Sequence, residues 1–386
     1  MRIGNTIYLD HQATTPVDPN VMKTMLPYFT ETFGNPHSSE HALGWTASQA
    51  VENAQIEVAT LICAEPDEII FTSGATESNN LALLGLARNS QKLYRNRLIV
   101  GGIEHKCLIE LGRILSSYYH YEVEFVPVDK GGVVQLDQLE ALLDENVLLI
   151  SIMAVNNEIG TIQPLNEIGV LAKKYGAYFH CDAAQAPCAV DIDVIAMNID
   201  LLSLSGHKIY GPKGIGSLYV KREIQREIEP IIYGGGQQNN LRSGTVPVPL
   251  CVGLGTACSI LNQPMKYTER TRLAQLRDKF VSDIIALGRD ISLNGPSLQT
   301  RHSGNANICF NGYSAQDILQ ALQPFVAASS GSACSSGITE PSYVLRAIGL
   351  TLEDAASSIR FSLGRFTTVD DVDSAVRIIK NVLSRL

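Results

Sequence analysis

Through the middle of the chain, short apolar runs alternate with longer stretches in which apolar residues recur every three or four positions. Residues 98–100, 123–128, 147–155, 177–180, 200–205 and 216–220 read as strands. Between them, 106–118, 136–143 and 165–175 carry helical spacing, and a helix from the Ser73-Gly74-Ala75-Thr76 turn runs to about Ala87. Near-continuous apolar strands alternating with helices predict an α/β fold, a largely parallel sheet with helices on both faces. After about residue 255 the pattern changes. Residues 267–287 read as one long charged helix, 305–310 and 359–363 as strands, and 315–322 and 369–383 as helices, which predicts a smaller α+β unit. The expected division is a large domain over 16–255 and a small one made of 1–15 with 256–386. A length of 386 residues suits two domains.

Composition narrows the function. With 45% apolar and 18% charged residues, a large core is available and wholesale disorder is excluded. Thirty Lys+Arg against 39 Asp+Glu give a net charge of −9, which argues against nucleic acid as a direct ligand. No apolar run approaches the ~18 residues that span a bilayer, and the first residues, Met1-Arg2-Ile3-Gly4-Asn5, lack the apolar stretch of a secretory signal. The eight cysteines are dispersed, with no paired metal spacing. A cytoplasmic protein with mostly reduced, buried thiols is expected.

In open α/β sheets, functional groups collect at the carboxyl ends of the strands. Four polar clusters fall at such ends: Ser73-Gly74-Ala75-Thr76, Asn156-Asn157-Glu158, Cys181-Asp182-Ala183-Ala184-Gln185 and Ser205-Gly206-His207-Lys208. In the first, Gly74 lets backbone approach a ligand, and the N–H groups of the following helical turn form an anion seat to which Thr76 adds a hydroxyl. The same turn also reads as an ordinary helix start. Lys208 follows a buried strand, and a partly desolvated lysine can form a Schiff base with an aldehyde. Asp182 can hold a pyridinium nitrogen protonated, so that the ring acts as an electron sink. Singly, these two are a loop lysine and a strand-end cap; together with a phosphate seat they suggest pyridoxal phosphate. His105, after the 98–100 strand, can stack on such a ring or move protons. His180 and Asp182 share a face but Cys181 does not, which leaves too few ligands for a metal, so none is expected. Finally, residues 327–337 contain only Ala, Ser, Gly and Cys. A cysteine at the centre of a run with so little to bury reads as a nucleophile on a mobile arm, and Cys334 is that candidate.

These residues resemble a cysteine desulfurase, a class V aminotransferase-type member of the fold type I pyridoxal phosphate enzymes. The likeness rests on Tyr8-Leu9-Asp10, Ala13-Thr14-Thr15-Pro16, Ser73-Gly74-Ala75-Thr76-Glu77-Ser78-Asn79, Val155-Asn156-Asn157-Glu158-Ile159-Gly160, Ser205-Gly206-His207-Lys208-Ile209-Tyr210-Gly211-Pro212-Lys213-Gly214, Arg242-Ser243-Gly244-Thr245 and Ser330-Gly331-Ser332-Ala333-Cys334. It implies a mostly parallel seven-stranded sheet and the following roles. Lys208 would carry pyridoxal 5′-phosphate, Asp182 would pair with the pyridine nitrogen and Gln185 with the ring hydroxyl, and His105 would stack on the ring. Ala75, Thr76, Ser205 and His207 would hold the phosphate, and Thr245 would reach the phosphate of the neighbouring subunit in a homodimer. Asn157 and Arg360 would hold the substrate carboxylate. Cys334 would take sulfur from L-cysteine as a persulfide, releasing L-alanine, and its loop of about 327–340 resembles the long version that delivers sulfur to a partner protein.

Two features depart from the resembled pattern. His11-Gln12 follows Asp10 where the family often has other polar or aromatic residues. The sequence ends at Leu386, short of the C-terminal tail of scaffold-serving relatives, which points the sulfur toward tRNA or DNA modification as readily as toward iron–sulfur cluster assembly. A selenocysteine lyase, another class V reaction, or a non-catalytic scaffold of the same fold would share Lys208 and the phosphate seat. None of them calls for a mobile loop with a central cysteine.

Overall fold

The computed structural model describes residues 1–89, 95–288, 290–331 and 341–386. Cys334 lies outside the described residues. A seven-stranded sheet runs in the order Ile69–Thr72, Gly216–Val220, Leu201–Ser205, Tyr178–Asp182, Val147–Ser151, Arg97–Gly101, Glu122–Val126. Gly216–Val220 runs antiparallel to both neighbours, and the other pairings are parallel. The six remaining strands therefore share one direction and present their carboxyl ends along one edge. Sequences such as Val-Leu-Leu-Ile-Ser over Val147–Ser151 are buried on both faces, as helices covering both sides of a sheet require.

The expected strand over 147–155 ends at Ser151. Beyond it the backbone still pairs, Ile152 N–H with His180 O at 3.1 Å and Ala154 N–H with Asp182 O at 2.9 Å, before Asn156 closes a turn against Thr161. That turn places Asn157 and Glu158 over the sheet edge. Two helices carried no clear signal in the sequence. Ala42–Ile62 is rich in alanine, and Val248–Leu261 is apolar nearly all round; they contribute Ala54, Val58, Leu254 and Cys258 to the same core.

A second core surrounds a three-stranded antiparallel sheet of Ile291–Leu293, Asn305–Phe310 and Ser358–Ser362. The helices Met265–Ile285, Ala315–Leu322 and Val369–Leu383 cover it. Ile7 and Leu9 of the N-terminal segment join this second core, whereas Val344, Leu345, Ile348 and Ala355 pack into the first. Asp10 then bridges to Ser362, Ser329 pairs with Arg360, and Arg360 Nη1 donates to Asn157 O in the turn past the carboxyl end of Val147–Ser151, so the Ser358–Ser362 strand faces that edge of the large sheet. Among the described residues, no helix is long and apolar enough to cross a membrane.

Gly216 and Gly74 touch where this edge begins. A methyl on Gly216 would collide with Leu204 O and come within 2.7 Å of Gly74 Cα. Gly216→Ala therefore must displace the Gly74 turn and is expected to cost roughly 1–3 kcal/mol, read as a lower denaturant midpoint. An unchanged midpoint would mean that the turn is free to move.

Candidate active site

Lys208 ends the short helical turn Gly206–Lys208 directly after the Leu201–Ser205 strand. Its Nζ donates to two main-chain carbonyls, Gln12 O at 2.6 Å and Ala13 O at 2.8 Å. Burial first, then the Arg360 charge, pull its pKa down to about 8, against opposition from Asp10 and Asp182. Its neutral fraction near pH 7 is therefore about 300-fold larger than that of an ordinary lysine. The 12–15 segment also pins the preceding residue: Thr15 N–H and Oγ1 both donate to His207 O at 2.9 Å, and His207 Nδ1 lies 3.1 Å from Thr14 Oγ1. Burial together with Lys208 and Lys213 lowers the His207 pKa to about 4, so this imidazole is neutral.

Asp182 is buried at the end of the neighbouring strand. Its Oδ2 accepts from Asn79 Nδ2 at 2.8 Å and its Oδ1 from Ala184 N–H at 3.0 Å. Donors on both oxygens fix the orientation of the carboxylate. His105 caps the helix Lys106–Tyr119, its Nδ1 accepting from Cys107 N–H at 3.2 Å. Its ring is open to the cleft, yet surrounding protein and the Lys208 charge depress its pKa, with Asp182 opposing. Asp182 and Lys208 both act on it electrostatically, which places the three groups around one space.

The Ser73–Thr76 turn leads from the Ile69–Thr72 strand into the helix Ala75–Arg88. Gly74 adopts φ 148°, among the described residues no side-chain cap hydrogen bond closes the helix Ala75–Arg88 at Gly74, and Thr76 is exposed. A methyl at Gly74 would project beside Ser205 Oγ, 3.8 Å away, so glycine keeps this space clear for a ligand. Glu77 fixes the turn by accepting from Ser73 N–H at 2.8 Å. Burial resists its ionisation, but hydrogen bonds from Arg242 and Ser73 prevail and lower its pKa. Arg242 Nε reaches Glu77 at 2.9 Å, while Thr245, three residues on, is exposed.

Across the cleft, the buried Arg360 donates through Nη1 to Asn157 O and through Nη2 to Asp10 Oδ1 and Ser329 Oγ, each at 2.8 Å. Its Nε is buried without a partner among the described residues. Gln185 Nε2 donates to Gln12 O at 2.9 Å, so it too borders Lys208. Glu158, beside Asn157, collects both flanks of residues 332–340: Ser342 Oγ donates to its Oε2 at 2.6 Å, and Gly331 packs against the same carboxyl. Burial raises the Glu158 pKa against the pull of Ser342 and Arg360.

Three participants lay outside the sequence expectations. Asn79 shares the buried stripe of Ala82, Leu83 and Leu86 on its helix, and a carboxamide in such a stripe is itself a signal of a buried polar partner. Asp10 and the Gln12–Ala13 carbonyls gave no such signal, because their partners lie some 200 to 350 positions away. His180, weighed earlier as a metal ligand, sits between Ser151 Oγ at 2.8 Å and Ser203 Oγ at 3.2 Å, a core histidine with both nitrogens satisfied.

A desolvated amine, an oriented carboxylate, a planar imidazole and an uncapped helix start around one space fit a phosphorylated pyridine aldehyde. Comparison with known proteins agrees. The sequence matches the family described as aminotransferase class-V over residues 7–375. The cysteine desulfurase IscS of Rickettsia bellii (strain OSU 85-389) is 49% identical over 383 residues, 98% of this chain and 92% of that protein. Among solved structures, a NifS-like protein superposes with a TM-score of 0.91 at 35% identity over 100% of both chains. SspA in complex with cysteine superposes at 0.81 and 38% identity, over 94% of this chain and 99% of that one. On the strength of this full-length likeness, the chain belongs to the class V aminotransferase family, in its cysteine desulfurase branch.

Proposed function

We propose that the chain removes the sulfur of L-cysteine, releases L-alanine and leaves the sulfur as a persulfide on Cys334, using pyridoxal 5′-phosphate. The observation that carries this reading is the convergence of the Lys208 amine, the Asp182 carboxylate and the uncapped turn at Ala75–Thr76 on one sheet edge. When bound, the cofactor supplies an electron sink that weakens bonds at the substrate Cα and Cβ. Lys208 would hold it covalently, Asp182 and Gln185 would hold its ring nitrogen and hydroxyl, and Ala75, Thr76, Ser205 and His207 its phosphate. His105 would cover the ring. With its amine free, Lys208 would carry a proton at the substrate Cα, and its pKa of about 8 suits that work near neutral pH.

Arg360 and Asn157 orient the substrate through its carboxylate. The Cys334 thiolate attacks the substrate sulfur: an S–S bond forms, the Cβ–S bond breaks, and its electron pair stays with the substrate carbon until protonation yields alanine. Gly331 and Ser342, on either side of residues 332–340, both meet Glu158 beside Asn157. The persulfide then passes to an acceptor protein, for iron–sulfur cluster assembly or for tRNA or DNA sulfur modification.

The working form is a homodimer in which Thr245 completes the neighbouring site. Thr245 is exposed, and Leu26 (55%), Phe29 (54%), Phe33 (64%) and Trp45 (60%) leave apolar surface uncovered along the N-terminal segment. The seven described cysteines are free thiols, which suits the reducing cytoplasm.

Cys334→Ser should keep the yellow cofactor absorbance while alanine release from L-cysteine falls at least ~100-fold, since a hydroxyl is a poor nucleophile toward sulfur. Alanine formation at the parent rate would overturn the persulfide route, and keto-acid production would indicate transamination instead. Arg360→Lys keeps the charge but loses the planar fork, so KM for L-cysteine should rise about tenfold or more, with kcat changing less. An unchanged KM would remove Arg360 from carboxylate binding.

A further inference from the structure

The pair that departs from the resembled family, His11-Gln12, lies between the two cores. Gln12 is 2% exposed. Its main-chain N–H donates to Ser362 Oγ at 2.9 Å, and its side-chain Oε1 accepts from Asn305 Nδ2 at 2.6 Å. Asn305 is fixed in turn: Arg301 Nη1 donates to its Oδ1 at 3.2 Å, and its Nδ2 also reaches Glu158 O at 3.0 Å. At the other end, Gln12 O accepts from both Lys208 Nζ and Gln185 Nε2, and Ala13 O takes the second Lys208 bond. Gln12 Nε2 is buried with no partner among the described residues. A buried amide satisfied at one end only costs stability, so packing alone does not explain a glutamine here.

We infer that Gln12 is a positioning residue for Lys208: its side chain, bolted to Asn305, holds the Gln12 and Ala13 carbonyls as the seat in which the free lysine amine rests. The inference deepens the proposed function and rests on Lys208 being the amine that takes the cofactor. Through this bolt the second core, which supplies Asn305 and Ser362, fixes where the amine of the large sheet lies. The seat has an electrostatic consequence. Carbonyl oxygens that accept from an ammonium favour its charged form and so oppose the burial and the Arg360 charge that lower its pKa. The other groups facing Lys208 are Asp10 on the same segment, Asp182 on the neighbouring strand, His105 across the cleft and the adjacent neutral His207. Loosening the seat leaves those groups in place and removes stabilisation from the ammonium. The pH at which the amine loses its proton should therefore fall.

The test uses the full-length protein stripped of cofactor, with added pyridoxal phosphate as the probe. The rate at which visible absorbance develops is followed across pH, independently of turnover. For the parent protein this rate should reach half its plateau near pH 8. Gln12→Met and Asn305→Leu each remove the bolt at similar volume and should move the midpoint to lower pH by about half a unit or more. The swapped pair, Gln12→Asn with Asn305→Gln, restores the combined reach and should return the midpoint toward the parent value. Single variants with the parent midpoint would overturn the inference. So would a swapped pair that behaves like the singles, because that result describes a residue needed for folding alone. If a single variant fails to fold, the swapped pair decides. Lys208→Ala separates the two readings: absorbance that still develops there defeats the assignment of Lys208 itself, whereas its loss combined with unshifted single variants defeats only the role of Gln12.

Discussion

An ammonium group withdrawn from water normally demands a carboxylate. Lys208 lacks one: among the described residues its Nζ hydrogen-bonds only to the carbonyls of Gln12 and Ala13. Asp10 is engaged by Arg360, and Asp182 is occupied by Asn79 and the Ala184 N–H, so both carboxylates act on the lysine only at a distance. A direct ion pair would have raised its pKa and made the amine inert. Two neutral oxygens leave it basic enough to be held and weak enough to be released as a nucleophile.

The rest of the fold is arranged around that compromise. Six strands running one way bring the Gly74 turn, His105, Asn157, Asp182 and Lys208 to a common edge, and the buried antiparallel Gly216–Val220 strand fits beneath the Gly74 turn because position 216 has no side chain. The second core contributes the opposite wall. Its Ser358–Ser362 strand carries Arg360, pairs with Ser329 and receives Asp10, so the Arg360 guanidinium and the lysine-holding carbonyls come from one small sheet and the segment bridged to it. Burial then tunes the imidazoles: His207 is held neutral and His105 is biased the same way, which keeps positive charge near the seat to Lys208 and Arg360.

Much of this could be read from residue order. Fully buried strands announce themselves as apolar runs, and their polar carboxyl ends point to Lys208, Asp182 and the 73–76 turn from residue order alone. Ala42–Ile62 and Val248–Leu261 escaped because one is too rich in alanine and the other too evenly apolar to show a stripe. The strand read as 147–155 was cut short by a turn that the apolar character of Ile152–Val155 conceals. The pairing of Asp10 with Arg360 and of Gln12 with Asn305 spans 350 and 293 positions, and local pattern carries no information about such contacts. His11-Gln12 stood out as a departure, but its partners became visible only in three dimensions.

The account rests on one amine being chemically unlike the other lysines. Reducing the purified, cofactor-loaded protein with borohydride and mapping its peptides by mass tests this directly. The account predicts a single pyridoxyl group, on Lys208. Its appearance on Lys213, Lys106 or several surface lysines, with Lys208 unmodified, would contradict it.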